Sequence, residues 1–129
     1  MHFTESNPIY LQIADMLSDG VLTGRYGPGE RMPSVREMAV AIEVNPNTVQ
    51  RTYAALQEWG VVETRRGQGY FVTDDARERT LQRKRRILVE QEIPRVAGYL
   101  RVLGMPLEEF GRLCADALSA QEQTKERSL

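Results

Sequence analysis

The sequence predicts a mainly α chain with one small β-hairpin. Three helix starts fall within its first fifty residues: Asn7-Pro8, Ser34-Val35-Arg36-Glu37 and Asn45-Pro46. Two β-rich runs, Val61-Val62-Glu63-Thr64 and Tyr70-Phe71-Val72, then flank a pair of glycines. A long helical pattern follows Asp75.

Asn7-Pro8 predicts the first helix, with Asn7 as cap and Pro8 at the first helical position. Ile9, Ile13, Met16, Leu17 and Val21 recur at helical spacing and form its predicted buried stripe, and Gly24 ends it. Arg25 to Met32, with Gly27-Pro28-Gly29, reads as a tight loop. Ser34 and Glu37 make a capping box, in which each side chain reaches the other residue's backbone N–H. Val35, Met38, Ala39 and Ile42 supply the apolar side of this short second helix, which stops near Glu43.

Asn45-Pro46 repeats the cap-and-proline start. Val44 and Val49 suit a hydrophobic staple across it. At 100° per residue, Val49, Thr52, Tyr53 and Leu56 share one face of the third helix, and Asn47, Gln50, Arg51 and Ala54 share the other. This helix runs to Trp59 and ends at Gly60. Arg65-Arg66-Gly67-Gln68-Gly69 joins the two β-rich runs, its glycines permitting the positive φ angles of a tight hairpin. Asp74-Asp75 caps a stretch from Ala76 to Leu103 that Pro94 should kink or divide. Gly104-Met105-Pro106 is a turn, and Leu107, Phe110, Leu113, Cys114, Ala117 and Leu118 mark an amphipathic last helix. The division expected is residues 1–75, a helical region 76–120 and a frayed, solvated end 121–129.

Two short helices about three residues apart, followed by a glycine-closed hairpin, make a winged helix-turn-helix. The polar groups on the first turn of the third helix are those that read base edges in a major groove. Asn and Gln form paired hydrogen bonds with adenine, and Arg does so with guanine. Asn47, Gln50 and Arg51 are the candidate base readers, with small Ala54 letting the helix sit deep. Asn45 and Thr48 are assigned to phosphate, helped by the helix N-terminal dipole. Ser34 and Arg36 at the second helix should meet phosphate too. Arg65, Arg66, Gly67 and Gly69 form the wing, which can track the minor groove or its phosphates. A polar helix face alone is usually only solvated, and two arginines in a turn are common. The order and spacing of all the parts carry the reading. Tyr53, Trp59, Tyr70 and Phe71 read as core aromatics rather than base-stacking platforms.

Composition narrows the alternatives. No apolar run is long enough to cross a membrane, and the N-terminus lacks a signal pattern, so a cytoplasmic protein is expected. His2 is the only histidine and Cys114 the only cysteine, the latter expected as an inert packed thiol. Metal-ligand spacing, a nucleophile–base pair and a phosphate loop are missing from the sequence, so neither an enzyme nor a cofactor is expected. Charge is the awkward fact. Residues 1–75 hold six arginines against ten carboxylates, a balance of −4, while residues 76–129 hold eleven cations against eight carboxylates, a balance of +3. Bulk electrostatics therefore does not argue for DNA, and the acidic balance favours an alternative, a winged helix that binds protein and never touches DNA.

Residues 8 to 73 resemble the DNA-binding domain of the GntR family of bacterial transcription regulators. The resemblance rests on Pro8-Ile9-Tyr10-Leu11-Gln12-Ile13, Gly29-Glu30-Arg31-Met32-Pro33-Ser34-Val35-Arg36-Glu37-Met38-Ala39, Asn45-Pro46-Asn47-Thr48-Val49 and Thr64-Arg65-Arg66-Gly67-Gln68-Gly69-Tyr70-Phe71-Val72. It implies that Arg36, the start of the third helix and the Arg66-Gly67 wing tip contact operator DNA, and that a homodimer binds an inverted repeat. Many members carry a basic residue early in the third helix where this chain has Pro46, Asn47 and Gln50, so its operator should differ.

The short remainder resembles the YtrA subfamily, whose two-helix tail dimerises. Transport or envelope-stress operons are implied as targets, and a repressor that covers promoter DNA as the mode of action. A two-helix tail cannot bury an apolar stripe alone. Leu81, Ile87, Leu88, Ile93, Val96, Leu100 and Leu103 are expected to meet Leu107, Phe110, Leu113 and Leu118 across the dimer. The cations Arg77, Arg79, Arg83, Lys84, Arg85 and Arg86 read as a solvated face paired to Glu78, Glu90 and Glu92, with flanking DNA as the alternative. No residue pattern names a small-molecule effector.

Overall fold

The computed structural model describes residues 7–127. They form two compact units, one ending at Arg85 and one beginning at Arg86.

In the first unit α1 (Ile9–Leu22) is followed by α2 (Val35–Ile42) and α3 (Pro46–Glu58). Pro8, not Asn7, occupies the cap position of α1, and no side chain caps it. The Gln12 amide instead donates to the Asn7 carbonyl at 2.8 Å. Ile13, Ala14, Leu17, Ser18 and Val21 are its buried stripe. Ile9 and Met16, expected in that stripe, are exposed. The stripe centres on Ala14 and Leu17, and both residues fall outside its arc at 100° per residue. α1 packs against the buried face of α3, where Val49, Thr52, Tyr53, Ala55 and Leu56 lie. The Thr52 hydroxyl donates to the Tyr10 carbonyl at 2.9 Å, which joins the two helices.

Both arms of the α2 capping box form: the Glu37 N–H donates to Ser34 Oγ at 3.0 Å, and the Ser34 N–H to Glu37 Oε1 at 3.2 Å. The turn into α3 passes through Glu43 at φ 55°, a left-handed position reached here by a residue with a Cβ.

The hairpin is β1 (Val62–Arg65) and β2 (Gly69–Val72), antiparallel, with Val62 opposite Val72 and Arg65 opposite Gly69. The loop before α2 adds an edge to it that the sequence did not announce. The Met32 N–H donates to the Tyr70 carbonyl at 2.8 Å, and the Val72 N–H to the Glu30 carbonyl at 2.9 Å, leaving Arg31 opposite Phe71.

α4 (Ala76–Ile87) begins inside the first unit. Ala76 and Thr80 are buried there, and the unit extends to Arg85. Arg79, Arg83 and Lys84 find carboxylates other than the expected Glu78, Glu90 and Glu92. Arg83 meets Asp15 at 2.8 Å, Lys84 meets Asp19 at 2.6 Å, and Arg79 meets Asp75 at 3.0 Å. Arg77 donates to the Leu22 carbonyl at 2.8 Å. Residues 76–85 add five cations and one carboxylate, so the −4 of residues 1–75 becomes 0 over the first unit. The Arg83 guanidinium also lies over the Trp59 ring. Arg83→Ala should lower stability by about 1–2 kcal/mol through loss of a partly shielded ion pair and a cation–π contact. It should also shift the fluorescence of Trp59, the only tryptophan. Thermal unfolding followed by that emission checks both; an unchanged melting temperature and spectrum would refute the contact.

The second unit is built of helices. A π-helical turn, Leu88–Glu92, precedes α5 (Ile93–Leu103), and Pro94 lies in the first turn of α5. The wide turn stands where the proline ring would clash with the preceding carbonyl and where its missing N–H would leave a gap. Gly104, at φ 66°, ends α5, and α6 (Leu107–Arg127) follows. α6 runs well past residue 120 instead of fraying there, because Ala120 to Arg127 contains no helix breaker. No described side chain from Leu81 to Lys125 is buried. Leu81, Leu88, Ile93, Leu103, Leu107, Leu113 and Leu118 are exposed, while Ile87, Val96, Leu100 and Phe110 are half-buried. Cys114, expected to be packed, is exposed on α6.

Candidate nucleic-acid interface

Three segments carry the polar groups singled out from sequence, and one side chain ties all three together. Tyr53 is fully buried on α3. Its phenol donates to the Pro33 carbonyl, just before the α2 cap, and its ring stacks on Tyr70 of β2 with centroids 4.4 Å apart and planes 7° apart. Burial pushes the Tyr53 phenol well above its ordinary pKa, so it remains a donor. The start of α2, the body of α3 and the hairpin are thereby fixed to one ring.

At α3, Asn45 accepts from the Asn47 N–H at 2.8 Å with its side-chain oxygen, so the cap is formed and Pro46 follows it. Asn47, Gln50, Arg51 and Ala54 are exposed, and Thr48 is half-buried. The first turn thus presents Asn47 and Gln50 beside the N–H groups of the helix end. Arg51 is held differently. Its guanidinium lies over the ring of Tyr10, 4.1 Å from the centroid, on the side of α3 that borders α1.

At α2, Arg36 is exposed in the first turn, and Ser34 is half-buried with its hydroxyl accepting from Glu37. The Ser34 hydroxyl and N–H beside Glu37 hold its carboxyl below the usual range. Glu37 is therefore an anion already engaged by the helix end, and Arg36 makes no ion pair with it among the described residues.

At the hairpin, Gly67 and Gly69 have φ of 74° and 107°, and the Gln68 N–H closes the turn on the Arg65 carbonyl at 2.8 Å. Arg66 is exposed at the tip. Arg65 folds back: its guanidinium covers the Phe71 ring at 4.1 Å and pairs with Glu63 at 3.4 Å. Arg31 was missed from sequence. Its guanidinium lies in ordinary contact range of Gly69, which places a further cation beside the wing. No periodicity marks Arg31; only the pairing of residues 30–32 with β2 brings it there. Among the described residues no group of His, Cys, Asp and Glu could hold a metal ion, and no helix is long and apolar enough to cross a membrane.

The model of the GntR family of bacterial regulatory proteins matches residues 9–72, from the first residue of α1 to the last of β2. YhcF of Bacillus subtilis (strain 168), described as an uncharacterized HTH-type transcriptional regulator, is 53% identical over 74 residues, covering 57% of this chain and 61% of YhcF. The HTH-type transcriptional repressor YtrA of the same organism is 40% identical over 86 residues, 67% of this chain and 66% of YtrA. The match thus spans three-fifths to two-thirds of these relatives' length. A crystal structure of a GntR-family regulator from Bacteroides thetaiotaomicron is 37% identical, with a TM-score of 0.73 over 88% of this chain and 99% of that one. Sequence and backbone agree across α1, α2, α3 and the hairpin: the chain belongs to the GntR family of bacterial regulatory proteins.

Proposed function

We propose that the chain is a sequence-specific regulator that binds double-stranded operator DNA as a homodimer, represses transcription by covering promoter DNA, and works in the cytoplasm. The observation that carries this reading is the Tyr53 hub, which fixes an N-terminal helix turn bearing Asn47 and Gln50 in one piece with the Arg36 helix end and the Arg66 wing tip. Asn47, Gln50 and Arg51 read bases. Ser34, Arg36, Asn45, Thr48 and the wing residues Arg65, Arg66, Gly67 and Gly69 position the backbone. Neutrality of the first unit removes the acidic excess that favoured a purely protein-binding winged helix.

The second unit supports dimerisation. Helices with several exposed leucines and, among the described residues, no buried side chain need an apolar cover. We assign that cover to a second copy, through Leu88, Val96, Leu100, Leu103, Leu107, Phe110, Leu113 and Leu118. YtrA is described as a repressor, which supports the sign of regulation.

Selection of genomic fragments bound by the whole chain tests the reading. Paired, inverted half-sites about one DNA turn apart, roughly 34 Å, fit a two-fold dimer. Failure to retain any duplex at low salt would overturn the proposal. Gln50→Ala should cost about 1–3 kcal/mol of discrimination at one base pair of each half-site. Competition between operator duplexes differing at single positions checks it; uniform weakening at all positions would assign Gln50 to the backbone instead.

A further inference from the structure

Tyr10 has no place in the assignments above, yet it is the aromatic ring that carries Arg51. We infer that Tyr10 is a positioning residue for base recognition: its ring holds the Arg51 guanidinium flat and aims its N–H edge along the exposed face of α3. This rests on the reading of Arg51 as a base reader.

Three observations support it. The guanidinium carbon lies over the Tyr10 ring, 4.1 Å from its centroid, well within cation–π range. Tyr10 cannot drift relative to α3, because the Thr52 hydroxyl, one residue from Arg51, donates to the Tyr10 carbonyl at 2.9 Å. Arg51 is exposed, and an open groove of about 250 Å³, lined by Tyr10, Leu11, Arg51, Ala54 and Trp59 among others, borders the pair.

The physical logic is entropic. An arginine on an exposed helix face samples many rotamers, and base reading requires one. Stacking occupies the π face of the guanidinium and leaves its in-plane donors available, and those donors make the paired bonds to guanine O6 and N7. The ring thus pre-orders the side chain without competing for the hydrogen bonds.

The test sorts a library of random-sequence duplexes on the whole chain and on Arg51→Ala, Tyr10→Ala, Tyr10→Leu and Tyr10→Phe, reading base preference at each position. Arg51→Ala should flatten one position of each half-site by about tenfold. Tyr10→Leu, which fills space without a π face, should flatten the same position by at least threefold and leave the others alone. Tyr10→Phe should restore it, and combining Tyr10→Leu with Arg51→Ala should add nothing further. If Arg51→Ala leaves every position unchanged, Arg51 is not a reader, and both the assignment and this inference fail. If Arg51→Ala flattens a position and Tyr10→Leu does not, or if Tyr10→Leu weakens all positions equally, the positioning role is overturned while the reader stands. Should Tyr10→Ala prove too unstable to handle, the leucine and phenylalanine variants decide.

Discussion

Replacing Tyr53 with alanine should destabilise the first unit by about 3–5 kcal/mol, a large share of the 5–15 kcal/mol that holds a domain of ordinary size together. The side chain is completely buried, so truncation leaves a ring-sized cavity between α3 and the hairpin. The stack on Tyr70 and the bond to the Pro33 carbonyl disappear with it. Tyr53→Phe isolates the hydroxyl. It keeps the packing and strands the half-buried Pro33 carbonyl, at a cost of about 1–3 kcal/mol. Urea unfolding followed by circular dichroism and Trp59 emission measures both. A Tyr53→Ala variant within 1 kcal/mol of the parent would show that the three parts are held by something else. The phenylalanine variant should also bind operator less tightly than its remaining stability explains, because the loop leading into α2 loses its tie to the wing.

Arg36→Ala combined with Arg66→Ala should weaken operator binding by on the order of a thousandfold at 0.1 M salt. Each phosphate contact contributes about 0.9 to the slope of log K against log salt, and a two-fold dimer would lose four of them. The slope should therefore fall by three to four units. The ratio of operator to random-duplex affinity should change little, because phosphate contacts position the protein without reading sequence. Titrations at several salt concentrations decide the matter. A slope unaltered by the double substitution would remove both arginines from the contact surface, and a collapse of the specificity ratio would make them readers. Both side chains are exposed, so the substitutions should leave the melting temperature near that of the parent.

What was legible in the sequence was local. Ser34 and Glu37 lie three residues apart and form the box their spacing predicts. Asn45 caps α3 through a neighbour two residues on. The hairpin glycines take the positive φ that their turn requires. Even the composite motif was readable, because helix, three-residue turn, helix and wing are consecutive. What was not legible depends on distant partners. Arg83 and Asp15 are 68 residues apart, and nothing near either one names the other. The local wheel therefore offered Glu78, Glu90 and Glu92 as partners instead. Arg31 reaches the wing through main-chain pairing of a loop, which has no side-chain period to detect. Arg51 was rightly placed on the exposed face of α3, but its seat on Tyr10 belongs to helix packing that only the folded chain reveals. Ile9, Met16 and Cys114 were assigned to the interior because they are apolar. Apolarity alone does not say which of two adjoining stripes has a neighbour.

The salt bridges between α4 and α1 have a practical consequence for anyone who would dissect this protein. A fragment cut after Asp75 would keep every residue assigned to DNA. It would also carry four surplus negative charges and an indole stripped of its guanidinium lid. Such a fragment would approach a polyanion against its own field. Poor affinity of the isolated head would then report the missing ten residues rather than any fault in the reading surface.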